Sequence, residues 1–550
     1  MGNYLKLFFD HEEYDEYIVS EAKPPYSHLI DEIEIIVDDT PHIDYAKQHL
    51  TFVALEDATF TFSKAGISYS LDGGETWVEL PSGGTSPTVS SGSKIMWKGT
   101  LTSSGTDVGR FSSSNMFEVE GNIMSLLYSD AFENEKSLSG RNWVFGNFLT
   151  NCPKLKGAKN MVLPATTLAP SCYRYMFYNC TMMESAPELP ATQLAEGCYN
   201  GMFNGCAFTE APELPATELA NECYAGMFYK CVNLREAPEL NATVMKFSCY
   251  LSMFHDCYSL TEPPILASTQ LAESCYNGMF GNCTSLQYVP ELPSSTLYSS
   301  CYSYMFAGCT SITDTGNLSS TTAAYRCYEY MFSGCTNLVN VTELPAMTLD
   351  YCCYRNMFAN CTSLTVTPEL PATTLADYCY ENMFAGCTSL TTAPELPATT
   401  LAENCYSYMF SDCISLVSGP SVLPALTAAR YCCNYMFKNC TSLTVAPVIS
   451  ATTLVQYCYN YMFEGCSSLL EAPVLIAQGF VESCYNGMFY NCTSLNKITC
   501  ITNQNYSPMY SFSSRWTYNV ASSGTFIKHP DMTWRNGSDG IPNGWTILNA

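Results

Sequence analysis

The chain has 550 residues, 47% of them hydrophobic, with 24 Lys and Arg against 51 Asp and Glu and a formal net charge of −27. That length exceeds what one hydrophobic core serves. The charge works against nucleic acid, whose phosphates are met by clustered Lys and Arg, and no apolar run approaches the ~18 residues of a membrane span.

Residues 1–50 hold 12 acidic against 3 basic side chains and read as an acidic N-terminal head or anchor segment. No apolar stretch of signal-peptide length follows Met1, so no secretion address is visible, and Lys6 stands where a myristoylation motif wants Ser or Thr. Residues from about Leu50 to Leu101 alternate apolar and polar in short runs broken by Gly, Ser and Pro, which predicts a small β-domain over residues 51–144. Within it, Ser70-Leu-Asp72-Gly-Gly74-Glu-Thr76-Trp77 matches the Asp-box pattern known from sialidase propellers. Read physically, the motif is a hairpin device: Asp72 bonds backbone donors in the turn and Gly74 takes the left-handed position. One copy without repeated blades implies no sialidase.

From Cys172 to Cys492 the chain repeats one phrase thirteen times, Cys-Tyr-x-x-Met-Phe-x-x-Cys, with Cys433 in place of the tyrosine in one copy. The methionines run Met176, Met202, Met227, Met253 and so on to Met488, 25 to 27 residues apart. A unit this short buries no core alone, so stacked copies must supply one another's interior. The predicted fold over residues 145–500 is a repeat solenoid, leucine-rich-repeat-like, of about 13 turns of roughly 26 residues, with short parallel strands plus short helices. Drawn as a helix, the phrase puts both cysteines, the Met, the Phe and the Tyr within an arc of about 140°. The position two before each Met varies freely, from Arg174 through Glu329 and Arg355 to Asn486, and reads as the exposed helix face.

All 30 cysteines lie between Cys152 and Cys500. Cysteines eight apart on a helix are separated by ~12 Å, beyond the ~7 Å reach of a disulfide. Two ladders of reduced thiols behaving as small hydrophobes are expected. Their spacing is not that of a zinc site and no histidine accompanies it, so neither metal nor cofactor is expected.

Within the turn from Leu390 to Cys413, Leu390, Ala393, Leu396 and Leu401 are the remaining inward residues, while Pro394 and Pro397 keep the strand short. An acidic residue recurs ten before the first cysteine: Glu188, Glu213, Glu239, Glu291, Glu343, Glu369 and Glu395. Ile265 and Asn317 interrupt the series, and Val162, Val422, Val448 and Val474 occupy its ends. Like charges stacked about 5 Å apart repel, so the stripe is solvated, splayed, or matched by cations or a basic partner. It is the candidate binding stripe.

Met409-Phe410-Ser-Asp-Cys413-Ile-Ser-Leu416 matches the Ala-Phe-x-x-Cys-x-x-Leu half of the BspA-like leucine-rich repeat, with Met for Ala. The chain resembles that family over about residues 145–500. The resemblance implies a right-handed solenoid with a parallel sheet on one face, and a place among surface proteins of gut and oral bacteria and their phage relatives. Phe148-Leu-Thr-Asn-Cys152 looks like a degraded phrase in a capping turn. Residues 501–550 read as a C-terminal cap, with short strands at Gly524–Lys528 and Gly544–Ile547. The six tryptophans, Trp77, Trp97, Trp143, Trp516, Trp534 and Trp545, all lie outside the repeats.

None of the six histidines sits in a catalytic motif, and a non-enzymatic protein is expected. The reading that results is a recognition or adhesion protein on a phage virion surface. Residues 1–50 would join other virion proteins, and the solenoid would meet a host surface protein or glycan; the alternative is a bacterial cell-surface adhesin.

Overall fold

The computed structural model describes residues 43–102, 108–502 and 512–550, with the backbone of two parallel strands, Tyr4–Phe9 and Glu32–Val37. The role expected of residues 1–50 falls largely outside these residues.

A six-stranded sheet opens the described chain, in the order Leu155–Val162, Phe117–Asn122, Leu50–Ala54, Lys94–Gly99, Ile67–Ser70, Val78–Leu80. Its pairings are antiparallel except the first, where Leu155–Val162 runs parallel to Phe117–Asn122. Alternation along Lys94–Gly99 sends Ile95 and Trp97 inward. They join Phe52, Phe60, Phe111 and Phe117 in an aromatic core of tilted and edge-on rings. Phe111 meets Phe148 at 5.3 Å and Phe145 stacks on Tyr173 at 5.9 Å, so this core runs without a break into the first repeat.

The repeats themselves are not helical. Among the described residues the helical segments are Tyr45–Lys47 and Ser125–Tyr128, both outside the phrases. In every phrase, the residues before the first Cys, before the Met and before the second Cys have φ between 49° and 75°. Gly, Asn, Asp and Ser fill most of these positions, the residues to which left-handed backbone costs least. Peptide N–H groups then alternate in direction. Tyr354 donates to the Cys379 carbonyl of the next turn at 3.0 Å, Met357 to Tyr354 in its own turn at 3.2 Å, and Phe358 onward to Met383 at 2.9 Å. Each phrase is a row of four-residue turns laid against its neighbour, with its donors satisfied. A period of four buries the same Cys, Tyr, Met and Phe as a period of 3.6 does, which is why the inward set was foreseen and the element was not.

Between phrases, prolines hold the parallel pairing to single bridges such as Thr374 with Thr400 and Thr392 with Ser418; one two-residue pair, Val422–Leu423 with Val448–Ile449, is longer. Buried rings stack turn on turn, Tyr354 on Tyr380 at 5.8 Å and Phe358 on Phe384 at 5.7 Å. The tyrosine column breaks only at Cys433, where a cavity opens between Tyr406 and Tyr459. The last turn is built on Phe512 and Trp516; the strand Lys497–Cys500 precedes it, and Thr525–Lys528 and Thr546–Asn549, which follow it, extend the same parallel sheet. Trp516 stacks on Trp534 at 5.1 Å beneath them.

All thirty cysteines are free and buried. The second cysteine of each phrase donates its S–H to a carbonyl one turn back. Cys361 reaches Phe332 at 3.1 Å, Cys387 reaches Phe358 at 3.1 Å and Cys440 reaches Phe410 at 3.0 Å. First cysteines form no such series: the three that approach a carbonyl lie 3.6 to 4.0 Å from it.

Candidate recognition surfaces

The Asp-box turn is built as its sequence requires. Asp72 Oδ1 accepts from the Thr76 N–H at 2.9 Å and its other oxygen from the Thr76 hydroxyl, while Gly74, at φ 96°, donates to Ser70 Oγ at 2.9 Å. The Thr76 bonds hold the Asp72 carboxyl well below the usual range. Trp77 closes the turn by donating to the Gly74 carbonyl, with Lys98 over its ring and His49 tilted against it at 5.0 Å. His49 Nε2 and Asp130 Oδ1 lie 2.9 Å apart, and Lys98 also holds Asp130 at 2.8 Å. Burial lowers the His49 pKa. This trio ties the turn to the sheet, a structural role.

All seven glutamates of the predicted stripe are exposed, as are Ile265 and Asn317 that interrupt it. Glu395 does more than face solvent, for its carboxylate accepts from the Ser421 N–H and hydroxyl of the following turn at 3.1 and 2.7 Å. A second acidic column lies three residues before the first. Glu210, Glu236 and Glu262 are joined by parallel bridges and all are exposed. Its signal was present in the sequence as a second recurrence at the same period. At the far end the stripe turns apolar, with Val448 62% and Val474 48% exposed.

The position two before each Met is not the exposed face expected of it. Ser303, Glu329, Ser407, Asn434 and Asn460 are buried there, and neighbouring turns are matched to one another. Arg355 lies 2.6 Å from Glu381 and 3.4 Å from Glu329. Farther along, Asn486 donates to Asn460 at 2.9 Å, Asn460 to Asn434 at 2.8 Å and Asn434 to Ser407 at 3.3 Å. Burial raises the pKa of Glu329 and of Glu381 against the pull of Arg355.

Flanking this buried column are the left-handed positions, and their chemistry changes along the solenoid. In the second to fifth phrases those before the first Cys and before the Met are Gly, Ser or Glu, from Gly197 to Gly278. From the sixth to the twelfth, tyrosines appear: Tyr304 stacks on Tyr330 at 4.6 Å, Tyr408 on Tyr435 at 4.8 Å and Tyr435 on Tyr461 at 5.0 Å. Beside the last three, Tyr431 stacks on Tyr457 at 4.8 Å.

A family profile described as "BspA type Leucine rich repeat region (6 copies)" matches residues 149–261, 248–391, 320–422, 353–474 and 406–529. No curated protein matches the chain. Among solved structures, a leucine-rich repeat protein from Eubacterium ventriosum aligns at 15% identity over 69% of this chain and 95% of its own, with a TM-score of 0.32. A leucine rich cell surface protein from Faecalibacterium prausnitzii aligns at 15% identity over 70% and 90%, with a TM-score of 0.24. An internalin from Listeria monocytogenes aligns at 14% identity over 57% and 86%, with a TM-score of 0.21.

Proposed function

Because the chain belongs to the BspA-type leucine-rich repeat family, we propose that it is a non-enzymatic recognition protein that presents its solenoid for adhesion at a surface. The observation that carries this reading is the exposed stripe of Glu188, Glu213, Glu239, Glu291, Glu343, Glu369 and Glu395, a carboxylate in seven of nine successive turns, reinforced by the second acidic column. Carboxylates stacked at the pitch of a parallel ladder repel one another. A partner surface bearing Lys or Arg relieves that repulsion, and its approach is steered by the same field. Reversing Glu213, Glu239 and Glu291 to Lys in the full chain is expected to abolish binding to immobilised mucin and to whole bacterial cells while the melting temperature stays put. Undiminished binding by the triple variant rejects the stripe.

The virion surface of a phage is the finer form of the proposal, with residues 1–50 joining other virion proteins and a host surface protein or glycan as the ligand. Thirty buried thiols, fourteen of them donating to a carbonyl at 3.0 to 3.3 Å, support assembly in a reducing cytosol. The bacterial cell-surface reading predicts instead that the polypeptide is found in envelope fractions. Mass spectrometry of purified particles and of envelopes separates the two.

A further inference from the structure

The tyrosines at left-handed positions call for an explanation that the fold does not supply. A bulky residue at positive φ is an outlier that persists where something else requires it, and the same positions carry Gly197, Gly201, Gly226 and Gly278 in earlier turns. Nor do these tyrosines build the core, for Tyr408, Tyr435, Tyr461, Tyr431 and Tyr457 are all half-buried, whereas the core tyrosines beside them, such as Tyr406 and Tyr459, are 2% exposed. The rings lean toward the following turn: a Cβ on Gly487 would come within 2.2 Å of the Tyr461 ring, so the column ends where a side chain is missing. Near-parallel rings whose centroids stand 4.8 to 5.0 Å apart are offset like roof tiles, so each covers its neighbour only in part.

We propose that the tenth to twelfth turns form a binding strip for an extended, uncharged polysaccharide that lies along the solenoid axis. The proposal rests on the reading of the chain as a recognition protein and names its ligand class. One tyrosine per turn, repeated every 4.8 to 5.0 Å, matches a polymer whose sugars follow one another at about the same pitch as a β-ladder, where the side chains of a bound peptide strand would not. The chemistry is that of sugar recognition: ring faces for C–H surfaces and phenol hydroxyls for sugar hydroxyls. Against a chain of −27, the strip carries cations, Arg430 over the Tyr431 ring and Lys438 over the Tyr435 ring. Its cations are answered on the spot, Arg430 by Glu403 at 3.7 Å and Lys438 by Glu464 at 3.8 Å. Beneath it, the amide ladder Asn434–Asn460–Asn486 fixes one turn against the next, so the strip is ordered before a ligand arrives.

Native gel electrophoresis through galactomannan, hydroxyethylcellulose or dextran tests the strip directly. The full chain is expected to be retarded by at least one of the three. The variant carrying Tyr408→Gly, Tyr435→Gly and Tyr461→Gly is expected to bind at least about tenfold more weakly at an unchanged or higher melting temperature, since glycine takes the left-handed backbone freely. Wild-type protein that migrates normally in all three gels overturns the proposal, as does a triple variant retarded like wild type. Should the glycine variant unfold, hydroxyl-radical footprinting of the wild type with the retarding polysaccharide decides: protection belongs on the peptides carrying Tyr408 to Tyr461, and protection elsewhere, as around Glu213 and Glu239, refutes the assignment. A chain that adheres to mucin and cells but ignores all three polysaccharides removes this inference alone. A chain that adheres to nothing removes the recognition reading beneath it.

Discussion

Cys387 hands its S–H to the Phe358 carbonyl at 3.1 Å, whereas Cys379, equally buried and at the other end of the same phrase, packs beside Tyr380. Serine keeps a donor at the first of these sites and adds a buried hydroxyl at the second, where an unpaired polar group costs ~1–3 kcal/mol. We expect Cys387→Ser to lie within about 1 kcal/mol of wild type and above Cys387→Ala, and the order to reverse at residue 379, with Ala above Ser. Urea midpoints of the four variants test this, and the same order at both sites would discard the distinction between the ladders. Spacing alone placed both cysteines inside. It was blind to the difference between them, because the acceptor sits on the preceding turn, 29 residues away in the chain. The same blindness hid the left-handed residues: over nine positions a period of four and a period of 3.6 bury the same side chains.

Glu329, Arg355 and Glu381 form a column of alternating charge through three turns, with side-chain exposures of 6%, 32% and 13%. Variation at this position looked like drift on a free surface, yet each residue answers the one 26 places away. The sequence held the clue in the alternation Glu, Arg, Glu and in the run Asn434, Asn460, Asn486. Removing the cation strands Glu381 and leaves Glu329 with Arg326 alone, at 3.8 Å. Arg355→Ala is therefore expected to cost about 2 kcal/mol at pH 7, less than the ~3–5 kcal/mol of a fully buried pair because Arg355 is partly exposed. Burial already lifts both glutamates above their ordinary pKa, and losing the guanidinium that pulls them down lifts them further. A raised pKa favours the protonated form in the folded state, so the deficit is full near neutrality and shrinks as pH falls toward the ordinary carboxylate range. Equal deficits at pH 7 and pH 4.5 in parallel melts would show that the column is not electrostatic. Elsewhere in the same element, Cys433→Tyr is expected to close the gap between Tyr406 and Tyr459 and to raise stability by about 1 kcal/mol; a lower melting temperature would mean that the turns have already collapsed around the smaller residue.

Stacking thirteen such phrases gives the whole molecule a pH limit that no single turn reveals. Burial pushes thiols of both ladders up from their ordinary value near 9, to about 12 at Cys172, Cys231, Cys275, Cys353 and Cys484. Well below pH 9 both folded and unfolded chains keep these protons and stability does not depend on them. Above it only the unfolded chain releases them, so the folded state loses ground with every increment of pH until the folded pKa is reached. Each raised thiol adds its own loss, and so many of them in one cooperative stack are expected to outweigh the ~5–15 kcal/mol by which domains are ordinarily stable. Because each turn is held by its neighbours, the loss propagates along the stack. The solenoid is thus expected to unfold cooperatively between about pH 9 and 10, with the near-ultraviolet signal of the stacked tyrosines vanishing in the same interval in which thiols become reactive to a disulfide reagent. A chain that keeps its tyrosine signal beyond pH 11, or whose thiols titrate one by one while the fold persists, would show that the ladders are oxidised or open to water, and would withdraw the support they lend to assembly in a reducing cytosol.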